Sequence, residues 1–462
     1  MEFGLDKCSS VIVKKGKTIN IPSILVNKEE FPVLSENEVY KYLGLTQSKC
    51  QDSKNIKIKV QDIYEKRLKS ILETGLNARN KTRAINSWCI PVLSYSFGVV
   101  PWSNTDLDSL DRKTRVLCTK YRMHHPKAAM ERLYMPRKLG GRGIVNLKNL
   151  SQNQIKNLKE YFINKKTTSK LHSTICEIDQ KYSPLNLKDE KIYKSPSSND
   201  LLNNWKAKPL HGRFVKSLDE SHPTSVKWLE NGTMYPETEG FMIAIQDQVI
   251  RTKNYQKYIE KSGITSDLCR MCKKCSETIQ HIISGCSCIA NTEYLHRHNL
   301  SCKIVHQYLG LTYHLITESM EYYKYEPRSV IENEGYKLYW DRQVITDKTI
   351  LSNRPDIILI DKTKKIAFLI DVAHPLDTNL NQTFQNKIIK YRDLAEEIRK
   401  MWHLEKTVII PIIVSANGLI HSNQLEFLKK LNIPEKIIFD IQRNTILETC
   451  RITRKVLNIP QD

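Results

Sequence analysis

The chain has 462 residues and carries 72 Lys and Arg against 50 Asp and Glu, a formal charge of +22 that favours phosphate backbones, hence DNA or RNA, over acidic protein partners. That length allows roughly two to four domains; with no cleavable apolar leader and no apolar run near the roughly 20 residues of a membrane span, secreted and membrane-spanning classes are set aside and an intracellular, soluble protein is expected. Twelve cysteines in such a chain are expected to be reduced, with a cluster serving a metal.

Residues 1–44 read as short β pieces at 10–13 and 18–26, closed by Tyr40-Lys41-Tyr42-Leu43-Gly44. From about Lys54 to Leu150 the pattern is helical, with Ile63, Leu68, Ile71, Leu72 and Leu76 on one amphipathic face. The run Pro136-Arg137-Lys138-Leu139-Gly140-Gly141-Arg142-Gly143 reads as a Gly-rich turn whose backbone can approach a phosphate while Arg137, Lys138 and Arg142 supply charge. Residues 151–235, rich in Lys, Ser and Asn, read as helical pieces on a loose basic connector, and 241–258 returns to a helical pattern.

Next comes Cys269-x2-Cys272-x8-His281-x4-Cys286. The first pair has knuckle spacing and the second sits a little over one helical turn apart, so four soft or borderline ligands can close a tetrahedron around Zn²⁺. Cys275 and Cys288 can stand in for neighbours, and His296 or His298 can serve as the fourth ligand.

The stretch from Asn353 to Trp402 carries the reaction chemistry. Asp356, an apolar run 357–360, a charged turn 361–365, a second apolar run 366–370 and Asp371 make a hairpin pattern. Antiparallel pairing sets the two acids roughly 5 Å apart, a repulsion that a hard cation such as Mg²⁺ relieves. In the helix that follows, Phe384, Ile388, Tyr391, Ala395, Ile398 and Trp402 mark a buried stripe. Lys387 lies at the stripe's edge, roughly 60° from its centre, and Lys390 roughly 120° away, facing water. Two carboxylates and one lysine suit phosphodiester cleavage: acids for the metal, ammonium for the developing charge. Glu332, on a helix expected before Trp340, is a further candidate acid or a solvated residue. A last buried strand is expected at 408–415, with helices at 424–431 and 441–457.

Pro355-Asp356, Asp371 and Lys387 with Lys390-Tyr391 resemble the restriction-like endonuclease of site-specific non-LTR retrotransposons, a nuclease of PD-(D/E)xK type. The general pattern's lysine two residues after the second acid is here Ala373, which leaves room for Lys387 to arrive from the helix. The Cys-Cys-His-Cys arrangement with Arg297-His298-Asn299, the Gly-rich run and the opening Met1-Glu2-Phe3-Gly4-Leu5-Asp6-Lys7-Cys8 resemble other parts of the same polyproteins, in family order.

The resemblance implies a multidomain α+β chain: a truncated reverse-transcriptase palm end at 1–44, a helical thumb at 45–150, the basic connector at 151–240, a zinc-binding module at 241–320 and a mixed-sheet endonuclease at 325–462. It implies a nuclear protein that nicks DNA for target-primed reverse transcription, with structural Zn²⁺ and catalytic Mg²⁺, or a non-catalytic nucleic-acid-binding remnant of the element. No Asp-Asp dipeptide occurs, so DNA synthesis by this chain alone is not expected.

Overall fold

A computed structural model describes residues 9–15, 17–19, 21–26, 29–34, 38, 40–42, 45–47, 53–189 and 197–459. The opening motif at 1–8, with Lys7, and the Leu43-Gly44 step lie outside the described residues, as do Ser195 and Pro196 of the connector. No described helix is long and apolar enough to cross a membrane. The chain divides into two compact units.

The first unit draws on Met1–Thr74, Arg83–Leu117 and Val145–Pro196. Among its described residues are three short antiparallel pairs: β1 (Val13–Lys14) with β2 (Lys17–Thr18), β3 (Ser23–Val26) with β4 (Glu29–Pro32), and β5 (Tyr40–Tyr42) with β6 (Leu45–Gln47). Helix α1 (Ser53–Glu73) buries Ile56, Tyr64, Leu68, Ile71 and Leu72 on one face; of the residues expected there, Ile63 is half-buried and Leu76 lies beyond the helix end, exposed. In α2 (Asn104–Lys120), Thr114 meets the Tyr64 hydroxyl at 2.7 Å. Helix α3 (Leu147–Lys165) starts on Asn146, whose side chain accepts from the Asn149 N–H, the ordinary capping chemistry of that residue.

The second unit comprises Gly75–Thr82, Cys118–Ile144 and Ser197–Asp462. Its centre is a five-stranded mixed sheet in the order β11-β10-β9-β8-β7, formed by β7 (Val330–Glu332), β8 (Tyr336–Trp340), β9 (Ile357–Asp361), β10 (Ile366–Ala373) and β11 (Lys406–Ile413). β9 and β10 read as continuous apolar runs because helices cover both faces of the sheet. On one face Ile357, Leu359, Ile370 and Val372 pack with Ile304, Val305 and Leu309 of α5 (Leu295–Thr312) and with Ile437, Ile438 and Ile441 of α8 (Lys436–Leu457). On the other, Ile358, Ala367 and Leu369 pack with Tyr391, Leu394, Ala395 and Ile398, along α7 (Arg392–Met401). The connection from β10 to its parallel neighbour β11 runs through α6 (Leu380–Lys390) and α7, the crossover that parallel pairing demands. Helix α4 (Pro236–Gln246), buried over most of its length, belongs to a further apolar cluster with Ile279 and Ile283.

The structure departs from the sequence reading in several further places. Glu332 ends strand β7 rather than sitting on a helix, and it is exposed beside Lys337 and Lys362 at 3.1 and 3.6 Å. The apolar stripe from Phe384 to Trp402 spans two helices that break at Tyr391. The connector is less loose than its composition suggests: Ser198–Ala207 is a helix with a capping box at Ser197 and Asp200, and its Trp205 is fully buried against Ala129, Met135 and Phe214.

A further departure concerns the Gly-rich turn. Arg142 is wholly buried and paired with Glu239 at 3.1 Å, and Arg137 pairs with the same carboxylate. Gly140 and Gly143 take the left-handed backbone a side chain resists, and a Cβ on Gly141 would lie 2.1 Å from the Met135 carbonyl oxygen. The glycines therefore serve close packing, and neither arginine is a surface cation. Of the three basic residues assigned to phosphate, Lys138 alone is exposed. Burying a guanidinium demands a paired acid, and Glu239, itself buried, is that acid.

Candidate active site and metal centre

The β9–β10 register ends with Ile370 opposite Ile357, so the next positions, Asp371 and Asp356, face each other across the open end of the hairpin. Asp356 Oδ2 accepts the Val372 N–H at 2.7 Å and lies 3.0 Å from His298 Nε2, delivered by α5. Asp371 Oδ1 accepts the Tyr391 hydroxyl at 2.6 Å, and its Oδ2 pairs with the Lys387 ammonium. The side chains of Asp356 and Asp371 are 18% and 3% exposed, so both charges sit where water screens them poorly.

The environments push the two acids apart. Burial alone would raise the Asp356 carboxyl, but the hydrogen bond and charge of His298, with the Val372 N–H, hold it below the ordinary carboxylate range. Burial, then the Asp356 charge, pushes the Asp371 carboxyl up against the pull of Lys387 and Tyr391. Burial would lower His298 in turn, yet the Asp356 carboxylate carries the imidazole up to about 9. The site thus presents one firmly ionised acid, one acid inclined to hold a proton, and two cations beside them.

Lys387 stands where the helix-edge argument put it. Lys390 does not simply face water: its ammonium is 3.8 Å from Asp371 Oδ1, donates to the Tyr391 hydroxyl at 2.8 Å and lies 4.4 Å from that ring's centroid. His298, Cys302 and the Tyr391 hydroxyl are the site residues that sequence reasoning missed. His298 and Cys302 are spaced one helical turn apart, a visible signal, but nothing local shows that this turn faces Asp356.

Cys269, Cys272, His281 and Cys286 bring one ligand atom each within 4.8 Å of one another, a cluster that could hold a metal such as zinc. Sγ of Cys269 lies 4.0 Å from Sγ of Cys286, and Sγ of Cys272 lies 3.3 Å from His281 Nε2. Backbone N–H groups of Lys274 and Cys275 draw the Cys272 thiol down to about 6, toward the thiolate that binds metal, while burial pushes Cys286 up to about 11.

The surrounding loop is built to hold this geometry. Glu277, fully buried, takes two donors from the Arg270 guanidinium at 2.8 and 2.9 Å and the Lys253 N–H at 3.0 Å. Tyr294 accepts the Cys286 N–H at 3.1 Å and donates toward the Ile282 carbonyl at 2.8 Å. The substitutes considered for the cluster lie elsewhere: Cys275 and Cys288 are exposed, His296 is 3.7 Å from Glu448, and His298 belongs to the acid site. No protein-family model and no curated protein matches the sequence.

Proposed function

We propose that the chain is a metal-dependent DNA endonuclease that nicks one strand, the C-terminal part of a retrotransposon-type polyprotein, with Asp356 and Asp371 as the ligands of Mg²⁺ and Lys387 as the charge-stabilising residue. The observation that carries this reading is the hairpin register with Asp371 opposite Asp356 and Lys387 arriving from the following helix. The donor set suits a hard cation: a buried and a half-buried carboxylate face each other, and burial, then the Asp356 charge, pushes the Asp371 carboxyl up. When bound, Mg²⁺ supplies charge neutralisation of the scissile phosphate and activation of water.

The chain's own residues do the rest. The Val372 N–H and His298 fix the orientation of Asp356, the Tyr391 hydroxyl fixes that of Asp371, and Lys387 offers an ammonium to the phosphate oxygens once Asp371 is otherwise engaged. The Cys269 cluster fits structural Zn²⁺, four ligands with no open position. DNA and RNA are the partners, held through phosphate, and the nucleus is where such an activity would act.

The test is conversion of supercoiled plasmid to the open circle by purified protein in Mg²⁺. Wild type should nick and Asp371→Asn should not. Equal nicking by both would mean contamination and would remove this site assignment.

A further inference from the structure

Around Asp356 the structure gathers more than a pair of acids. His298 and Cys302, one turn apart on α5, and Asp356 ahead of β9 each bring a ligand atom within 4.8 Å of the others. We infer that these three residues form a second metal site, separate from the Cys269 cluster, that takes a borderline transition-metal ion such as Zn²⁺ rather than Mg²⁺.

Three observations carry this. The first is spacing: His298 Nε2 is 3.0 Å from Asp356 Oδ2 and 3.7 Å from Cys302 Sγ. Ligand atoms on a zinc tetrahedron stand roughly 3.3–3.7 Å apart when metal–nitrogen and metal–sulfur distances are about 2.0 and 2.3 Å. Sγ is also 3.8 Å from His298 Nδ1, so to admit an ion the imidazole and carboxylate must part by a few tenths of an ångström and the Cys302 side chain must turn toward Nε2.

The second is orientation from outside the site. His298 Nδ1 lies 3.2 Å from Asn299 Oδ1, so with an N–H donated there an ion that displaces the proton shared between Nε2 and Asp356 meets a lone pair aimed inward, and the Val372 N–H holds the Asp356 carboxylate. Such outer partners are how metal-ligating histidines and carboxylates are fixed.

The third is chemistry. Sulfur and imidazole nitrogen are poor ligands for Mg²⁺ and good ones for zinc, cobalt or copper, and three protein ligands leave one position open.

An ion here would consume Asp356. On the nuclease reading, loading the site therefore competes with Mg²⁺ and switches nicking off. The site itself stands without that reading, because its test needs no DNA.

The full-length protein is stripped with chelator, reloaded with Zn²⁺, desalted and analysed for metal. Two ions per chain are expected in wild type and one in each of Cys302→Ser, His298→Gln and Cys272→Ser. Co²⁺ titration of wild type should add a second step of sulfur-to-cobalt absorption that Cys302→Ser lacks, and this measurement decides should a variant misfold. One ion in wild type with a single cobalt step, or two ions retained in both Cys302→Ser and His298→Gln, would overturn the proposal: His298 and Asp356 would then be an ion pair alone. If two ions bind and no nicking is seen at any Zn²⁺ level, the metal site stands and the nuclease reading falls.

Discussion

The Cys269 cluster and the Asp356–Asp371 site are both small sets of polar side chains held by buried backbone, but they are assembled over different lengths of chain. The cluster closes within the segment from Cys269 to Cys286, and its braces, Arg270, Glu277 and Tyr294, lie in or beside that segment. The acid site draws His298 from one helix, one acid from just ahead of β9 and one from β10, and Lys387 with Tyr391 from the helices of the crossover to β11. A locally closed site depends on its ligand for order, while a site drawn from a packed sheet is ordered by the core beneath it.

Metal removal tests that difference most strongly. A site filled at about 1,000 times its dissociation constant stabilises its fold by roughly 4 kcal/mol. Chelation should therefore cost the region around 265–300 about that much, read as lost hydrogen-exchange protection at Ile282 and Ile283, while Leu359 and Ile370 in the sheet keep theirs. Equal loss in both regions would show that cluster and sheet unfold as one.

The converse experiment strikes the acid site alone. Asp371→Asn keeps the shape and removes a charge, and nicking should fall by about 10²–10³-fold, the usual cost of losing one preorganised electrostatic group. DNA affinity should change little, since it rests on charges elsewhere and should itself decline steeply with salt. Loss of binding in parallel with nicking would mean that Asp371 shapes the surface rather than the chemistry.

How much of each region could be read in the sequence follows from the same contrast. The Cys-Cys-His-Cys set was legible because its spacing is its geometry, and the hairpin was legible because two apolar runs about a charged turn fix which residues end up opposite. Lys387 followed from helical periodicity. His298 was visible only as a possible zinc ligand, because α5 reaches Asp356 through sheet packing that no local pattern encodes. Arg142 misled for a related reason: a basic residue in a Gly-rich run looks exposed until Glu239, from a distant helix, is placed against it. Trp205 and Trp228 were the strong hints that the connector is packed, apolar side chains too large to leave in a loose linker.

Within the acid site the lysines are not equivalent. Lys387→Ala removes the ammonium held on the nearly buried Asp371 and should cost nicking about 10²-fold, read as initial rates on supercoiled plasmid. An effect below tenfold would move the charge-stabilising role elsewhere.

Tyr391→Phe is a finer probe. The hydroxyl hydrogen-bonds to the ionised form of Asp371 and so pulls its carboxyl down against burial and the Asp356 charge. Without it the carboxyl moves further up, and a higher pH is needed to ionise it. The acid limb of the nicking profile should shift to higher pH, with activity down about tenfold on that limb, as a hydrogen bond of about 1.5 kcal/mol to a charged group implies, and little changed at alkaline pH. A uniform loss across pH would mean that the ring's packing, not its hydroxyl, matters.

The smallest effect belongs to Lys390. Its ammonium reaches Asp371 only at 3.8 Å, and its side chain is 41% exposed, so water screens most of the attraction. Exposed pairs of this kind contribute about 0.2–1 kcal/mol, which sets the loss in Lys390→Ala at roughly fivefold or less. Part of that loss should be indirect, because Lys390 also donates to the Tyr391 hydroxyl and lies over its ring. The double variant with Tyr391→Phe separates the two routes. If Lys390 acts through the hydroxyl, adding Lys390→Ala to Tyr391→Phe costs nothing more; if it acts directly on Asp371, the two losses multiply.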